Sequence, residues 1–211
     1  MTIASTFGAG GSFVGPAVAR RLGLAFVDRA IPARLAECVG APPQDLGADE
    51  VEEGGVIAGL IAQAASAGVL FGAPMAGDPD PTGQVARAEE LLRRVADTEG
   101  AVILGRGGVF LLERRRDVLH VRLDGHQEAR VRQAMRLEGL DEERAERRSK
   151  ELDRGRAAFI RTYYPGRKWE DPANYHLVLD STAISLDTCT ELIVRAAADR
   201  LGIAPGATSA S

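Results

Sequence analysis

Five short, largely apolar runs are spread along the chain, each four to six residues long and followed by polar or glycine-rich sequence. Continuous apolar runs, as opposed to strict alternation, are typical of strands buried on both faces of a parallel sheet. The pattern therefore predicts an α/β protein with a five-stranded parallel sheet. The predicted strands are Thr2–Ser5, Leu24–Asp28, Ala101–Leu104, Val118–Leu123 and His176–Asp180.

Between these runs, apolar residues recur at the three- and four-residue intervals of amphipathic helices. We expect Pro16 to lie in the first turn of the first helix, where its missing N–H is harmless. Asp124 with Gln127 three residues later is typical of a capping box at the start of another helix. The predicted helices begin near Gly11 or Ser12 and end at Gly23, run from Gln127 to about Leu137, and span Asp141–Arg161 and Leu186–Leu201.

The order strand, helix, strand predicts right-handed crossovers, and hence helices on both faces of the sheet in a three-layer α/β/α domain. Two Ala- and Gly-rich helical stretches, near residues 51–70 and 83–97, predict a helical insertion. We therefore expect one domain over residues 1–211. Its predicted parts are a core of 1–39, 98–137 and 175–203, an insertion of about 40–97, a lid of about 138–174 and a frayed tail of 204–211.

The composition of the chain argues against some classes of function. The chain has 211 residues, 45% of them hydrophobic, and a net charge of −4, so it has no general attraction to nucleic acid or acidic membranes. No apolar run approaches the length of a membrane span, and the N-terminal sequence lacks a leader pattern, so we expect a cytoplasmic protein. Cys38 and Cys189 are too few for a disulfide framework. The only lysines are Lys150 and Lys168, so positive charge before them comes from arginine.

A glycine-rich loop follows the first predicted strand and leads into the first helix. Backbone N–H groups and a helix N-terminus in such a turn attract phosphate. The P-loop spacing G-x-x-x-x-G-K-[ST] falls on residues 5–12, with Ser5 in place of the first glycine and Gly11 in place of the lysine. A purely structural glycine turn explains the loop equally well, and Ser12 keeps a hydroxyl for Mg²⁺.

Dinucleotide binding is a second interpretation of the same loop, because Asp28 lies about 20 residues after Gly8-x-Gly10. The third glycine of that fingerprint would fall on Phe13, which is too bulky for close helix–strand packing. We therefore favour phosphate binding by residues of the loop and the first turn: Gly8, Ala9, Gly10, Gly11, Ser12 and Phe13.

Two further patterns carry positive charge. Arg106 lies between glycines directly after a predicted strand, where a guanidinium could bind a phosphate at the edge of the sheet. The predicted helix of residues 141–161 is rich in arginine and glutamate, which by itself is typical of a solvent-exposed helix face. An aromatic and basic run follows at 159–169, however, and it resembles a flap over a ligand.

Three stretches together resemble the cytidylate kinase-like family. They are the N-terminal I-A-S-T-F-G-A-G-G-S-F-V-G, the V-I-L-G-R-G of residues 102–107, and residues 121–191, which contain the arginine-rich lid and the L-D-S-T strand end. Relatives also lack the loop lysine. The family's G-R-D element has Gly107 in place of its aspartate. The resemblance covers about two-thirds of the chain and implies a P-loop kinase fold.

The resemblance also implies ATP and Mg²⁺ as cofactors and a nucleoside monophosphate, CMP or dCMP, as acceptor. It assigns phosphoryl-transfer roles to Arg106, Arg148, Asp153, Arg154 and Arg156, and an acceptor site to Asp28, Arg34 and Arg106. A binding protein without turnover, or a kinase for another small acceptor, is the alternative. We expect small-molecule nucleotide partners and no nucleic acid or membrane, and a homodimer through the insertion is compatible with the sequence.

Overall fold

A computed structural model of the chain describes residues 1–27, 100–105 and 107–202, together with helical residues at 86, 89, 90, 92–94, 96 and 97. The chain divides into two compact units, Met1–Asp28 with Ala101–Ser211, and Arg29–Gly100. In the second unit the described residues between 86 and 97 are helical, within the stretch predicted at 83–97, and Gly100 is not helical. The rest of the predicted insertion and the predicted tail lie outside the described residues.

The first unit is built on a five-stranded sheet in which all pairings are parallel and the strand order is β2-β3-β1-β4-β5. This confirms the predicted α/β class and strand number. The predicted and observed strands agree to within two residues at every boundary. The strands are β1 (Thr2–Ser5), β2 (Ala25–Val27), β3 (Ala101–Leu104), β4 (His120–Asp124) and β5 (Leu177–Asp180).

Five α-helices of this unit are described, and their ends carry the expected local signals. Asp141 and Ser185 cap two of them by accepting hydrogen bonds from the backbone N–H groups of Arg144 and Thr188. A left-handed Gly202 follows the last helix. The helices are α1 (Gly11–Leu22), α2 (Gly108–Leu111), α3 (Gln127–Glu138), α4 (Glu142–Tyr163) and α5 (Leu186–Leu201).

The main core lies between the sheet and the pair α1 and α5. Ile3, Leu104 and Leu123 project from three strands into this layer, where Val18 and Ile193 meet them from the helices. All five are at most 1% exposed. Cys189 belongs to the same core, as an ordinary buried thiol.

The other face of the sheet is covered by α2 and by the segment between α4 and β5. Gly108 of α2 packs close to Thr2 and Ile103, and the aromatic Trp169 lies over Arg122 of β4. From β1 the chain continues to β2, on one side of the sheet, and from the adjacent β3 it continues to β4, on the other side. Ligands of open α/β sheets bind at the carboxyl ends of strands at such a switch point, which here is the end of β1 and β3.

Two local predictions were wrong. Pro16 is the sixth residue of α1, beyond the first turn, so the proline provides no N–H for the carbonyl of Ser12 four residues earlier. The capping box of Asp124 and Gln127 does not form: α3 begins at Gln127 with His126 at its N-cap, without a side-chain cap. The carboxylate of Asp124 is instead engaged by Arg122 and Thr6.

Candidate active site

The loop of residues 6–10 joins β1 to α1 and is shaped by two glycines. Gly8 and Gly10 have φ angles of 77° and 75°, in the left-handed region that favours glycine. A Cβ atom on Gly10 would lie 2.6 Å from Cδ2 of Leu186, and one on Gly8 would overlap the carbonyl of Arg130. Backbone angle and space therefore both require glycine. Gly10 is also the N-cap of α1 and provides no side-chain hydrogen bond to it.

The six loop residues predicted to bind a cofactor divide into two groups. Gly8, Ala9 and Gly10 lie in the loop, and Gly11, Ser12 and Phe13 form the first turn of α1. Ser12 and Phe13 are exposed, whereas Ala9, Gly10 and Gly11 are buried. The start of α1 therefore combines buried glycines with an exposed serine, and the positive end of its helix dipole favours an anion there.

Side chains from distant parts of the sequence hold the carbonyl groups of the loop. Arg130 Nη1 donates to the Phe7 carbonyl at 2.7 Å, Gln133 Nε2 to that of Gly8 at 3.0 Å, and Ser181 Oγ to that of Ala9 at 2.7 Å. These donors neutralise the partial negative charge of three successive carbonyl oxygens. Their effect favours an anion at the loop.

One carboxylate joins the loop to the arginines of α4. Asp153 Oδ1 accepts from the backbone N–H of Phe7 at 3.0 Å and from Arg156 Nη1 at 2.7 Å, while Oδ2 accepts from Arg130 Nη1 at 2.9 Å. The Arg148 guanidinium lies 5.7 Å from the centre of the Phe7 ring and pairs with Glu138. The structure therefore brings Asp153, Arg156 and Arg148 to the loop.

The remaining predicted residues are placed differently. Arg154, on the same helix, is exposed. Asp28, Arg34 and Arg106 lie outside the described residues, although the glycines on either side of Arg106 are both left-handed, with φ angles of 77° and 64°. A Cβ atom on Gly107 would lie 2.5 Å from Cε2 of Tyr164, so the Tyr164 ring takes the space that an aspartate would need there.

Sequence reasoning missed Arg130, Gln133 and Asp124 as residues of this site. Asp124 Oδ1 accepts from Thr6 Oγ1 at 2.9 Å and its Oδ2 from Arg122 Nη2 at 2.7 Å. Burial raises the pKa of Asp124, but the hydrogen bond and charge of Arg122 outweigh it and hold the pKa below its ordinary value. The available signal was the pair of charges at 122 and 124 inside an apolar strand, because buried charges require partners.

The sequence model of the cytidylate kinase-like family matches residues 1–183. The chain belongs to this family. No curated protein sequence matches it. The family assignment confirms the resemblance carried by the loop, the strand before Arg106 and the lid, and it agrees with the kinase-like parallel fold.

Solved structures similar to this family member extend over most of the chain. An uncharacterized protein from Eubacterium ventriosum ATCC 27560 has a TM-score of 0.63 at 19% identity, covering 94% of this chain and 98% of its own. A gluconokinase from Sinorhizobium meliloti 1021 reaches 0.47 at 18% identity, covering 95% and 90%. A shikimate kinase from Bacteroides thetaiotaomicron reaches 0.44 at 16% identity, covering 95% and 96%. At these identities the first likeness establishes the fold alone.

A metal site made of protein ligands and a membrane-spanning helix each place requirements on the described residues. Nowhere among them do three His, Cys, Asp or Glu side chains come together in a group able to hold a metal ion. In the same residues, no helix combines the length and apolar character that crossing a membrane requires.

Proposed function

We propose that this cytidylate kinase-like protein is a phosphotransferase that moves the γ-phosphoryl group of ATP to a nucleoside monophosphate, CMP or dCMP. Family membership supports the reaction class. The nucleotide preference follows from the resemblance of the loop, the G-R element and the lid to cytidylate kinases. It is the finer part of the proposal, and the acceptor assay below tests it separately.

The observation that carries the proposal is the bridge at Asp153. This one carboxylate binds the Phe7 N–H of the glycine loop and the guanidinium groups of Arg130 and Arg156. A loop without a lysine needs positive charge from elsewhere. Arg130 binds the Phe7 carbonyl of the loop, and Arg156 binds the Asp153 carboxylate that holds the loop. Phosphoryl transfer depends mainly on such positioned cations.

The residues fit the phosphates of a nucleotide. The left-handed glycines of the loop and the start of α1 offer backbone N–H groups and a helix dipole to an anion. The nucleotide phosphates supply most ligands of Mg²⁺ in kinase sites, and Ser12, an exposed residue in the first turn of α1, is the protein ligand assigned to it here. When bound, Mg²⁺ neutralises charge on the phosphates.

In the proposed division of labour, Gly8, Ala9, Gly10 and the first turn of α1 hold the donor phosphates. The positive charge that balances the transferring group comes from Arg148, Arg154 and Arg156, and Asp153 orients Arg156. The acceptor nucleotide is assigned to Asp28, Arg34 and Arg106.

The test is ADP release measured with ATP, Mg²⁺ and a panel of nucleoside monophosphates, with ATP binding measured in parallel by calorimetry. CMP or dCMP should give turnover well above the rate of ATP hydrolysis without acceptor. If ATP binds and no nucleoside monophosphate raises ADP release, the proposed reaction is wrong. Nucleosides and small hydroxy acids in the same panel distinguish a kinase for another acceptor.

A second candidate function is nucleotide binding without turnover. It is favoured by three departures from the kinase motifs: Ser5 and Gly11 in the loop, and Gly107 where the family element has an aspartate. The loop geometry suits phosphate binding whether or not transfer occurs. Calorimetric ATP binding without ADP release from any acceptor would establish this candidate.

A further inference from the structure

Arg122 lies in the middle of β4 with its guanidinium buried beneath two aromatic rings. The side chain is 4% exposed. Its Cζ atom lies 4.5 Å from the centre of the Trp169 ring and 5.7 Å from that of Tyr175. Arginine is rare at a buried strand position because a guanidinium loses its hydration there unless it is fully paired.

The guanidinium donates hydrogen bonds to a backbone carbonyl on one side and to a carboxylate on the other. Nη1 donates to the Trp169 carbonyl at 2.8 Å, while Nε and Nη2 both donate to Oδ2 of Asp124, at 3.1 and 2.7 Å. Trp169 belongs to the segment between α4 and β5, and Asp124 ends β4. Arg122 therefore joins that segment to the carboxyl end of the sheet.

Asp124 continues the connection into the glycine loop. Its other oxygen, Oδ1, accepts from Thr6 Oγ1 at 2.9 Å and lies 3.8 Å from Arg130 Nε. Thr6 is the first residue of the loop, and Arg130 holds the carbonyl of Phe7. A continuous chain of polar contacts thus runs from the Trp169 carbonyl through Arg122 and Asp124 to the loop.

The far end of this chain contains an unsatisfied group. The Trp169 indole Nε1 is buried, and the described residues provide no hydrogen-bond partner for it. Its carbonyl accepts from both Arg122 and the Tyr175 hydroxyl, the latter at 2.6 Å. A buried N–H without a partner costs free energy, so an arrangement of the segment that pairs the indole would compete with this one.

We propose that Arg122 is a positioning residue that couples the Trp169 segment to the glycine loop. Occupation of the loop by the phosphates of a nucleotide shifts Thr6 and Asp124, and Arg122 passes that shift to Trp169. This inference rests on the proposed nucleotide binding at the loop. An apolar side chain at position 122 would make neither hydrogen bond and would leave the Asp124 carboxylate without its main partner, which is costly for a buried ion pair. The conservative variant Arg122→Lys therefore accompanies the apolar one in the test.

Trp169 is the only tryptophan of the chain, so its emission reports on this segment directly. ADP is the probe, with its binding measured independently by calorimetry. In the native protein, ADP should change the tryptophan emission with the midpoint that calorimetry gives. Arg122→Met, folded and able to bind ADP, should lose most of that change, and Arg122→Lys should recover part of it because the charge remains.

The matched control is Arg115→Met. Like Arg122, Arg115 pairs with an aspartate two residues later, but Arg115 is only partly buried and its partner Asp117 is exposed. It should leave the emission change intact. Calorimetric ADP binding without any emission change in the native protein overturns the coupling while leaving the proposed function standing. An unchanged signal in ADP-binding Arg122→Met overturns it too. Absence of ADP binding by calorimetry counts against the proposed function.

A ligand-free cycle tests the coupling separately from nucleotide binding. Unfolding equilibrium constants are compared for the native protein, Thr6→Val, Arg122→Met and the double variant, with Arg122→Lys replacing Arg122→Met if the latter does not fold. Thr6 and Arg122 both bind Asp124, so their effects on unfolding should not be independent. The unfolding constant of the double variant should differ by more than about threefold from the value expected if the two single effects simply multiply. Agreement within about threefold overturns the proposal.

Discussion

A Cβ atom on Gly11 would lie 2.6 Å from the Cβ of Ser5, and 2.7 Å from its hydroxyl oxygen. These two residues occupy the first-glycine and lysine positions of the ordinary phosphate loop. The two departures from the motif are therefore spatially linked, since the serine fills the space that a side chain at position 11 would need.

The first prediction follows from that overlap. Gly11→Ala should destabilise the native protein by about 1–3 kcal/mol, the usual cost of overpacking a filled site. In a Ser5→Gly background the cost should be smaller, because the overlap with Ser5 is gone and only a contact of 3.1 Å with Leu104 Cδ1 remains. Urea unfolding of the four proteins measures both effects. Equal costs in the two backgrounds would contradict the linkage.

The second prediction concerns Asp153. Asp153→Asn removes the charge that orients Arg130 and Arg156, so turnover should fall on the order of 100-fold, as when a preorganised electrostatic partner is lost. The matched control is Glu146→Gln, which removes a carboxylate from an exposed pair with Lys150 on the same helix. Steady-state kinetics should show no more than a twofold effect for the control, roughly the scale of a surface ion pair. Similar kinetics for both variants would refute the orienting role.

The third prediction separates Arg154 from Arg106. Arg154→Ala should mainly lower kcat, by about tenfold or more, because a lost contact made only in the transition state acts on turnover. The melting temperature should not change, since Arg154 is exposed. Arg106→Ala should mainly raise the KM for the acceptor. Equal and mild effects of both changes would identify these arginines as surface charges, and kinetics with varied acceptor concentration decide.

The fourth prediction is a loss of stability in acid. Burial, together with the positive charges of His176, the N-terminal amine and Arg200, lowers the pKa of His120 to about 4. In the unfolded chain the imidazole takes up its proton near its ordinary value of 6.5. The contribution of His120 to stability is therefore full above pH 6.5 and decreases as the pH falls towards 4, by up to about 3 kcal/mol.

Urea unfolding at pH 7 and pH 5 measures this contribution. His120→Gln should show a flatter dependence on pH, even though it loses the contact between Nδ1 and the Thr2 hydroxyl at 2.7 Å. His126 is exposed, so His126→Gln serves as the control and should leave the profile as in the native protein. A native slope that survives His120→Gln would assign the effect to other groups.

The fifth prediction tests the aspartate missing from the G-R-D element. Gly107→Asp should destabilise the protein by about 1–3 kcal/mol, because the residue is left-handed and its side chain would meet the Tyr164 ring. In a Tyr164→Leu background the cost should decrease, since the ring is gone. Thermal unfolding of both pairs measures the difference, and an undiminished cost would mean that backbone strain alone excludes the aspartate.

The fold was largely predictable because buried parallel strands and amphipathic helices leave local patterns. The helix of residues 186–201 was predicted with the bounds that are observed, since Ser185 caps one end and a left-handed Gly202 the other. The predicted capping box at Asp124 was wrong because a carboxylate near the start of a helix can bind a side chain instead of the helix N-terminus. Here Arg122, two residues earlier on the strand, pairs with it instead.

The site was predictable only in part. Residues 8–13 form the expected loop and first turn, because glycine spacing is a local signal. Arg130 and Arg154 both lie on helices crowded with charge, and their sequence surroundings do not distinguish them. Only the packing of α3 against the loop reveals that Arg130 is 8% exposed and bonded to Phe7, whereas Arg154 faces solvent.

The side chains that hold the loop have a consequence for synthesis of the chain. Arg130, Asp153 and Ser181 bind loop groups that lie 123, 146 and 172 residues earlier. At roughly 5–20 residues per second, the ribosome delivers the last of them about 10–30 seconds after the loop itself. The nascent loop therefore lacks these hydrogen-bond partners until the final strand has been synthesised, and fragments ending before Ser181 should not hold the loop in its complete form.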